Sequence, residues 1–138
     1  NVNYIATFSY QVDYSGNLIL TGTGQRNSVG FADSNGITSL VLVHNFNKGS
    51  FDRSLSHLVL SDKTKRRRLI DNILVVMSKE EYSGVNIDFE NIFWHDRANY
   101  TSFIKELKEK LAPYGFLTTV SVPAKTYVAI WPKNCWDY

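Results

Sequence analysis

The sequence lacks several features that would place it in a specialised class of protein. It contains one cysteine, Cys135, among 138 residues, which excludes a disulfide framework and leaves the redox compartment open. No apolar run approaches the roughly 18 residues that a membrane-spanning helix requires, so we predict no membrane span. The first residues have neither the basic stretch nor the apolar segment of a signal peptide. The formal net charge is only +2, which implies no strongly acidic or basic partner.

Hydrophobic and aromatic side chains, by contrast, are plentiful. Hydrophobic residues make up 43% of the chain and charged residues 20%, which is typical of one globular domain, here residues 1–138. There are eight tyrosines, eight phenylalanines and three tryptophans. Some of them belong in a core, and the surplus suits a site that stacks against flat ligands such as sugars or bases.

Hydrophobic periodicity predicts strands and helices in alternation along the chain. Helical crossovers of this length join parallel strands, so the predicted fold class is α/β with about four parallel strands. The predicted strands are Tyr4–Tyr10, Ser39–Phe46, Val85–Glu90 and Phe116–Pro123. The predicted helices are a weak one over Gln25–Ser34, a long one from an N-cap at Ser61 to about Lys79, and one from a cap at Asp96 to Pro113 and Gly115; no element is predicted after Ala124.

The strand Val85–Glu90 has an unusual polar face. Alternation places Asn86, Asp88 and Glu90 on one side, although strands of a covered parallel sheet are mostly apolar. One interpretation is an edge strand with solvated side chains. A second is a polar face that borders a functional cavity, and a third is a hard-cation site that uses all three residues. Asp88 and Glu90 lie about 6.6 Å apart along a strand, close enough for their side chains to interact.

The stretch from Ser83 to Glu90, SGVNIDFE, resembles the signature strand D-G-x-D-x-D-x-E of glycoside hydrolase family 18, the chitinase-like enzymes. Gly84, Asp88 and Glu90 match it, whereas Ser83 and Asn86 replace its first two aspartates. The Asn variant resembles the spore-germination and cortex-lytic branch, which comprises N-acetylglucosaminidases acting on spore peptidoglycan. Further stretches resemble that branch in the same order: Tyr4–Leu18, Leu42–Asp52, Leu69–Ile73 and Val120–Thr126.

The resemblance implies part of a (β/α)₈ TIM barrel. On the family's pattern the four predicted strands are the second to fifth of eight. A complete barrel takes about 250 residues, so we expect a barrel fragment without the first strand and the sixth to eighth. Such an open half could self-associate to cover its sheet edges. The family's tyrosine on the sixth strand would then be missing, and the fragment alone could be inactive.

The resemblance also implies a mechanism. Glu90 would be the general acid that protonates the glycosidic oxygen, with a pKa raised by desolvation and by the neighbouring Asp88. The nucleophile in this family is the substrate's own 2-acetamido oxygen. Asp88 would orient the acetamido N–H, and Asn86 would support Asp88 through a hydrogen bond. The implied partner is a glycan that contains N-acetylglucosamine, from spore-cortex peptidoglycan or a chitin-like polymer, and no cofactor is implied.

Three further residues are predicted to bind substrate. Tyr10 and Asn45 end neighbouring strands and could line the sugar pocket, although Tyr10 could equally pack in the core. Trp94 follows Glu90 closely and could be a sugar platform or a packed loop anchor.

Two other groups of residues suggest no further chemistry. The basic cluster from Lys63 to Arg68 could be a nucleic-acid patch or a solvated helix start; without a binding motif we predict no nucleic-acid partner. His44, His57 and His95 show no metal-ligand spacing, so we predict no metal site, and His44 is interpreted as a core histidine.

A rival function is a catalytically inert, carbohydrate-binding chitinase-like protein. Lectin-like members of the family commonly lose the acid, so the presence of Glu90 argues against this alternative. The resemblance suggests the spore coat, the spore cortex or the cell envelope of a spore-forming bacterium as the location.

Overall fold

Parallel strands joined by helices form the framework of the protein. The computed structural model describes residues 2–22 and 25–123. The strands are β1 (Tyr4–Val12), β2 (Leu18–Leu20), β3 (Thr38–His44), β4 (Phe46–Asn47), β5 (Ser50–Phe51), β6 (Gly84–Asp88) and β7 (Leu117–Val120). The helices are α1 (Gln25–Ser34), α2 (Arg53–Leu60), α3 (Lys63–Glu80) and α4 (Arg97–Leu111), with short 3₁₀ turns at Trp94–Asp96 and Ala112–Tyr114.

The main sheet has the strand order β2-β1-β3-β6-β7. β1, β3, β6 and β7 run parallel, and β2 pairs antiparallel with β1. This confirms the predicted α/β class, and the four parallel strands correspond to the four that the sequence predicted. The short β2 and the separate β4–β5 hairpin were not predicted.

One face of the sheet is covered by helices and forms the core. Val41 and Val43 of β3 pair with Val85 and Ile87 of β6, and all four are buried in the same cluster as the apolar residues of α3 and α4. Since side chains alternate along a strand, the other face carries the polar residues of β6. We call this the open face; it holds Leu42 and His44 from β3, Asn86 and Asp88 from β6, and Thr119 from β7.

A close approach of three strands depends on Gly84, the first residue of β6. A Cβ atom at this position would lie 2.6 Å from the carbonyl oxygen of Leu117 and 2.7 Å from the Leu40 side chain. No real side chain tolerates such distances, so glycine lets the neighbouring strands pack tightly against the start of β6.

Two helix starts differ from the sequence prediction. Ser61 does not cap the long helix; it ends α2, a helix that the sequence analysis missed, and its N–H donates to the carbonyl of His57. Asp62 is the N-cap of α3, because its carboxylate accepts from the N–H groups of Thr64 and Lys65. The helix itself was placed correctly, and its predicted apolar side chains face the core.

The start of α4 corrects a second capping prediction. Asp96 occupies the N-cap position, but its carboxylate caps no backbone N–H. It accepts instead from the side chains of His57 and Asn99. The predicted helix end is confirmed: Pro113 lies in the 3₁₀ turn, and Gly115 follows with φ 73°.

Candidate active site

The carboxyl ends of β1, β3, β6 and β7 meet at one edge of the sheet, because these strands are parallel. In open α/β sheets and in barrels this edge is where ligand-binding residues are placed. On the open face near this edge, His44 pairs with Asp88 in the register of β3 and β6, and Gln11 of β1 pairs with His44. Asp88 therefore lies on the side of the sheet away from the helices.

Asp88 is buried at the end of β6. Burial raises the pKa of its carboxyl group, and a hydrogen bond with Ser121 acts in the opposite direction. The Ser121 hydroxyl has one proton, which it can donate either to Asp88 or, at 3.0 Å, to Oδ1 of Asn86. The hydrogen bond found for Asn86 is therefore with Ser121, whereas the sequence analysis expected one with Asp88. Ser121 links the two residues, and its role was not predicted.

Glu90 lies two residues beyond the end of β6 and is half-buried. Burial raises the pKa of its carboxyl group, and the negative charge of Asp88 raises it further. These are the two causes that the sequence analysis expected. Phe89, between the two acids, is fully buried and stacks on Phe103 of α4 with ring centroids 5.8 Å apart. The core thus holds Phe89 on the helix side and leaves Asp88 and Glu90 on the other.

The predicted strand Val85–Glu90 ran two residues too far, and Asn45 provides the reason. The N–H of Glu90 donates to Oδ1 of Asn45 at 3.0 Å, and Nδ2 of Asn45 donates to the carbonyl of Glu90 at 2.9 Å. The side-chain amide of Asn45 thus binds the backbone N–H and carbonyl of Glu90, which would otherwise pair with a neighbouring strand. Nδ2 of Asn45 also donates to Oγ of Ser56 at 2.6 Å.

This geometry corrects the prediction that Asn45 lines a sugar pocket. Its side chain is 0% exposed, and both its oxygen and its nitrogen are used inside the protein. The buried amide does need a polar partner, as expected, but that partner is the backbone of Glu90.

Of the two interpretations left open for Tyr10, pocket lining and core packing, the structure favours core packing, because β1 contains a bulge. The register of β1 against β3 shifts between Phe8, which pairs with Leu42, and Tyr10, which pairs with Val43. Tyr10 consequently packs against the core on the helix side. Phe8 takes the open-face position, is 49% exposed, and stacks on His44 at 4.0 Å. A regular alternation along the sequence gives no sign of this shift.

His44 is a buried histidine, as the sequence analysis expected. Its Nδ1 accepts from the N–H of Phe46, and its Nε2 lies 3.2 Å from the hydroxyl of Thr21. Burial lowers the pKa of the imidazole to about 4, so the ring is neutral near pH 7. A neutral, stacked ring beside Asp88 adds no positive charge that would lower the pKa of either acid.

Trp94 is 62% exposed in the 3₁₀ turn that follows Glu90. That exposure is inconsistent with a packed loop anchor. Its indole lies edge-on to His95, with ring centroids 5.8 Å apart. The prediction that it contacts sugar stays a prediction.

A polar network at the same edge was not singled out from the sequence. The Tyr14 hydroxyl donates to Oδ2 of Asp52 at 2.7 Å, and Nδ2 of Asn47 donates to the same oxygen at 3.2 Å. Asp52 also caps α2, and the N–H of Leu55 together with the Tyr14 hydroxyl lowers the pKa of its carboxyl group. The network fixes the loops after β1 and β3 relative to each other.

The loop after Glu90 is held by α2. Both Nε and Nη2 of Arg53 donate to Oδ1 of Asn91, and Nδ2 of Asn91 donates to the carbonyl of Phe51. Asn91 has φ 54°, a conformation that a non-glycine residue adopts at an energetic cost. These contacts restrict the backbone on the far side of Glu90, as Asn45 restricts it at Glu90 itself.

The structure brings together two of the histidines for which the sequence predicts no metal site, and that prediction stays a prediction. His57, His95 and Asp96 lie together, and one possible ligand atom from each lies within 4.8 Å of the others. Sequence spacing gave no signal because His57 and Asp96 are 39 positions apart. Within residues 2–22 and 25–123, no third imidazole, thiolate or carboxylate forms such a group with Asp88 and Glu90. The hard-cation interpretation of the β6 face therefore gains no support.

The basic cluster is partly structural. Arg66 is buried, donates twice to the Glu106 carboxylate at 3.2 and 3.0 Å, and donates to the carbonyl of Leu60 at 2.6 Å. Arg68 donates to the carbonyl of Ser15 at 2.9 Å. Two of its arginines therefore tie α3 to neighbouring segments. The prediction of no nucleic-acid partner stays a prediction.

Comparison with known proteins identifies the family of this chain. Residues 44–134 match the family model described as glycosyl hydrolases family 18, and the chain belongs to this family. The sporulation-specific glycosylase YdhD of Bacillus subtilis is 38% identical over 90 residues, covering 65% of this chain and 21% of YdhD. The cortical fragment-lytic enzyme of B. subtilis is 24% identical over 125 residues, covering 91% of this chain and 28% of that enzyme.

Solved structures of similar proteins share this fold. The crystal structure of YdhD superposes with a TM-score of 0.87 at 30% identity, covering 94% of this chain and 43% of that one. The spore cortex-lytic enzyme SleL of Bacillus cereus superposes with a TM-score of 0.81 at 26% identity, covering 87% and 28%. The chain thus spans less than half the length of each of these relatives. Among its described residues, no helix combines the length and apolar character required to cross a bilayer.

Proposed function

We propose that residues 1–138 form part of the catalytic domain of a glycoside hydrolase that cleaves N-acetylglucosamine-containing glycans with retention of configuration. The observation that carries the proposal is the placement of Asp88 and Glu90. Both lie on the open face at the carboxyl edge of the sheet, and burial raises the pKa of each. A carboxylic acid that keeps its proton at higher pH suits the protonation of a glycosidic oxygen.

In the proposed reaction Glu90 donates its proton to the leaving-group oxygen as the bond to the anomeric carbon breaks. The 2-acetamido oxygen of the same sugar bonds to that carbon and gives a cyclic oxazolinium intermediate. Asp88 accepts the acetamido N–H and stabilises the positive charge. Water then attacks the anomeric carbon and loses its proton to the Glu90 carboxylate, while the bond from that carbon to the acetamido oxygen breaks; this restores both the acetamido group and the acid. Each step balances without a cofactor.

Asn45 supports this reaction as a positioning residue. It contacts both backbone polar groups of Glu90, and it is anchored through Ser56 to α2. A general acid must lie within about 3 Å of the oxygen that it protonates, so a fixed backbone contributes directly to the rate.

Spore-cortex peptidoglycan is the substrate that we favour. The cortical fragment-lytic enzyme and SleL are named for action on the spore cortex, and both are similar to this chain. The leaving group released when a bond of that polymer breaks is itself a sugar. A sugar is a poor leaving group, so its oxygen must be protonated by an acid. A chitin-like polymer offers the same acetamido group and is the alternative glycan.

The proposal is tested by Glu90→Gln in the full-length protein, with release of reducing ends from cortex peptidoglycan and from chitin oligosaccharides as the readout. The expected result is a loss of roughly 10²- to 10⁴-fold in kcat. Glu109→Gln is the matched control, because Glu109 lies on the outer surface of α4 with a side chain 65% exposed. Undiminished hydrolysis by Glu90→Gln would rule out the acid role, and binding without hydrolysis by the unsubstituted protein would favour the inert carbohydrate-binding alternative.

A further inference from the structure

A cluster of His57, His95 and Asp96 joins α2 to the turn that precedes α4. Nδ1 of His57 lies 2.9 Å from Oδ2 of Asp96, and Nε2 of His95 lies 3.9 Å from the same oxygen. The Asp96 side chain is 1% exposed, whereas those of His57 and His95 are 41% and 48% exposed. A buried carboxylate thus lies behind two imidazoles that solvent can reach.

The surroundings of this cluster hold its side chains in place. The ring of Phe93 stacks on His95 at 5.0 Å and meets His57 edge-on at 6.0 Å. The two imidazoles are perpendicular, with centroids 5.5 Å apart. Nδ2 of Asn99 donates to Oδ1 of Asp96 at 3.0 Å, which orients the carboxylate. Metal ligands characteristically have such outer hydrogen bonds.

A structural tie between the two helices explains only part of this arrangement. The contact between His57 and Asp96 suffices to attach α2 to α4. At 3.9 Å from the carboxylate, His95 is too distant for a hydrogen bond to it. Stacking on Phe93 nevertheless holds the His95 ring beside a second imidazole and a carboxylate, which together are ligands that a transition-metal ion can use.

We propose that His57, His95 and Asp96 bind one divalent transition-metal ion, with Zn²⁺ as the best match. Two imidazoles and one carboxylate are a common ligand set for zinc, and the exposed side leaves room for a fourth ligand from water. The three candidate ligand atoms lie within 4.8 Å of one another, and both rings are partly exposed. The ion would fasten α2 to the loop that leaves Glu90.

Positive charge nearby limits the affinity and shapes the selectivity. The Arg53 guanidinium lies 4.8 Å from the centre of the Phe93 ring, and Arg97 follows Asp96 directly. The N-terminus of α4 adds a partial positive charge. Mg²⁺ and Ca²⁺ bind through oxygen ligands and charge, and are disfavoured here, whereas Zn²⁺ and Ni²⁺ gain from imidazole coordination.

The test is calorimetric titration of the tag-free, full-length protein with ZnCl₂, repeated with MgCl₂, alongside thermal unfolding with and without Zn²⁺. We expect one Zn²⁺ ion to bind at His57, His95 and Asp96 and to raise Tm, and we expect no change in Tm with Mg²⁺. His95→Ala, in an exposed turn, is expected to abolish this binding, and Asn99→Ala to weaken it about tenfold. Cys135→Ser is the control for adventitious thiol binding and should match the unsubstituted protein.

Absence of zinc binding, or unchanged binding by a folded His95→Ala variant, would overturn the proposal. If His95→Ala fails to fold, His95→Gln provides the same comparison with a side chain of similar length. Binding is measured without any assay of hydrolysis, so its outcome is independent of the proposed enzymatic function.

Discussion

The side-chain amide of Asn45 bonds to both backbone polar groups of Glu90, accepting from its N–H at 3.0 Å and donating to its carbonyl at 2.9 Å. Asn45 directly follows the neighbouring strand β3 and is completely buried. The residue that follows β3 therefore fixes the backbone of Glu90, which follows β6. In the proposed mechanism this contact determines where the acid stands relative to the glycosidic oxygen.

We expect Asn45→Ala to lower kcat with little change in KM, because the substitution frees the backbone of Glu90 and leaves substrate contacts in place. Loss of the buried hydrogen bonds should also reduce the free energy of unfolding by roughly 1–3 kcal/mol. Steady-state kinetics and denaturant unfolding check both effects. Asn35→Ala, which removes an exposed amide from the end of α1, is the control. An increase in KM alone would indicate that Asn45 contacts substrate.

Replacing Asp88 with asparagine should change the pH dependence of the reaction. The negative charge of Asp88 raises the pKa of Glu90, so removing it lowers that pKa. Glu90 then loses its proton at lower pH, and the alkaline limb of the profile of kcat against pH moves to lower pH. The measurement is that profile for Asp88→Asn and for the unsubstituted protein. An alkaline limb in the same place would show that the two carboxyl groups do not interact.

His44 should titrate far below an ordinary histidine. The pKa of this imidazole is lowered by burial from 6.5 to about 4. Between about pH 6.5 and pH 4 the imidazole is protonated in the unfolded chain and neutral in the folded one. His44 therefore lowers the free energy of unfolding progressively as pH falls through this range. NMR of the imidazole protons gives the pKa directly. A value near 6.5 would contradict the burial that places this ring under Phe8.

Gly84→Ala should be strongly destabilising, because the new methyl group would meet the Leu117 carbonyl at 2.6 Å. We expect a loss of roughly 1–3 kcal/mol or more in the free energy of unfolding. Gly30→Ala is the matched control, since a Cβ there has no neighbour within 4 Å in α1 and should be neutral or stabilising by about 0.5–1 kcal/mol. Equal effects of the two substitutions would refute the close approach at β6.

Much of the fold could be predicted because periodicity reports burial. Gln25–Ser34 has the predicted bounds, and β3 is a buried strand, as its continuous apolar run indicated. The eight-residue α2 was missed, although Asp52 is a good N-cap, because it is short and follows an unpredicted hairpin. Two adjacent capping residues, Ser61 and Asp62, could not be ranked from sequence alone.

The site was predictable where strand alternation holds and not where the backbone departs from it. Asp88 lies on the open face of β6, as the alternation predicted, and the next residue, buried Phe89, packs against Phe103 of α4. For Tyr10 the sequence could not decide between pocket and core, because the preceding bulge in β1 has no signal in the sequence. The pairing of His57 with Asp96 depends on how α2 packs near α4, which local patterns do not encode.

The central claim is that Glu90 protonates the leaving group, and the most direct measurement compares two leaving groups in Glu90→Gln. An oligosaccharide substrate has a poor leaving group that needs the proton, whereas an aryl N,N′-diacetylchitobioside releases a phenol that does not. We predict that kcat/KM of Glu90→Gln falls roughly 10²- to 10⁴-fold on the oligosaccharide and by a much smaller factor on the aryl glycoside. Equal losses on both substrates would contradict the assignment of Glu90 as the acid.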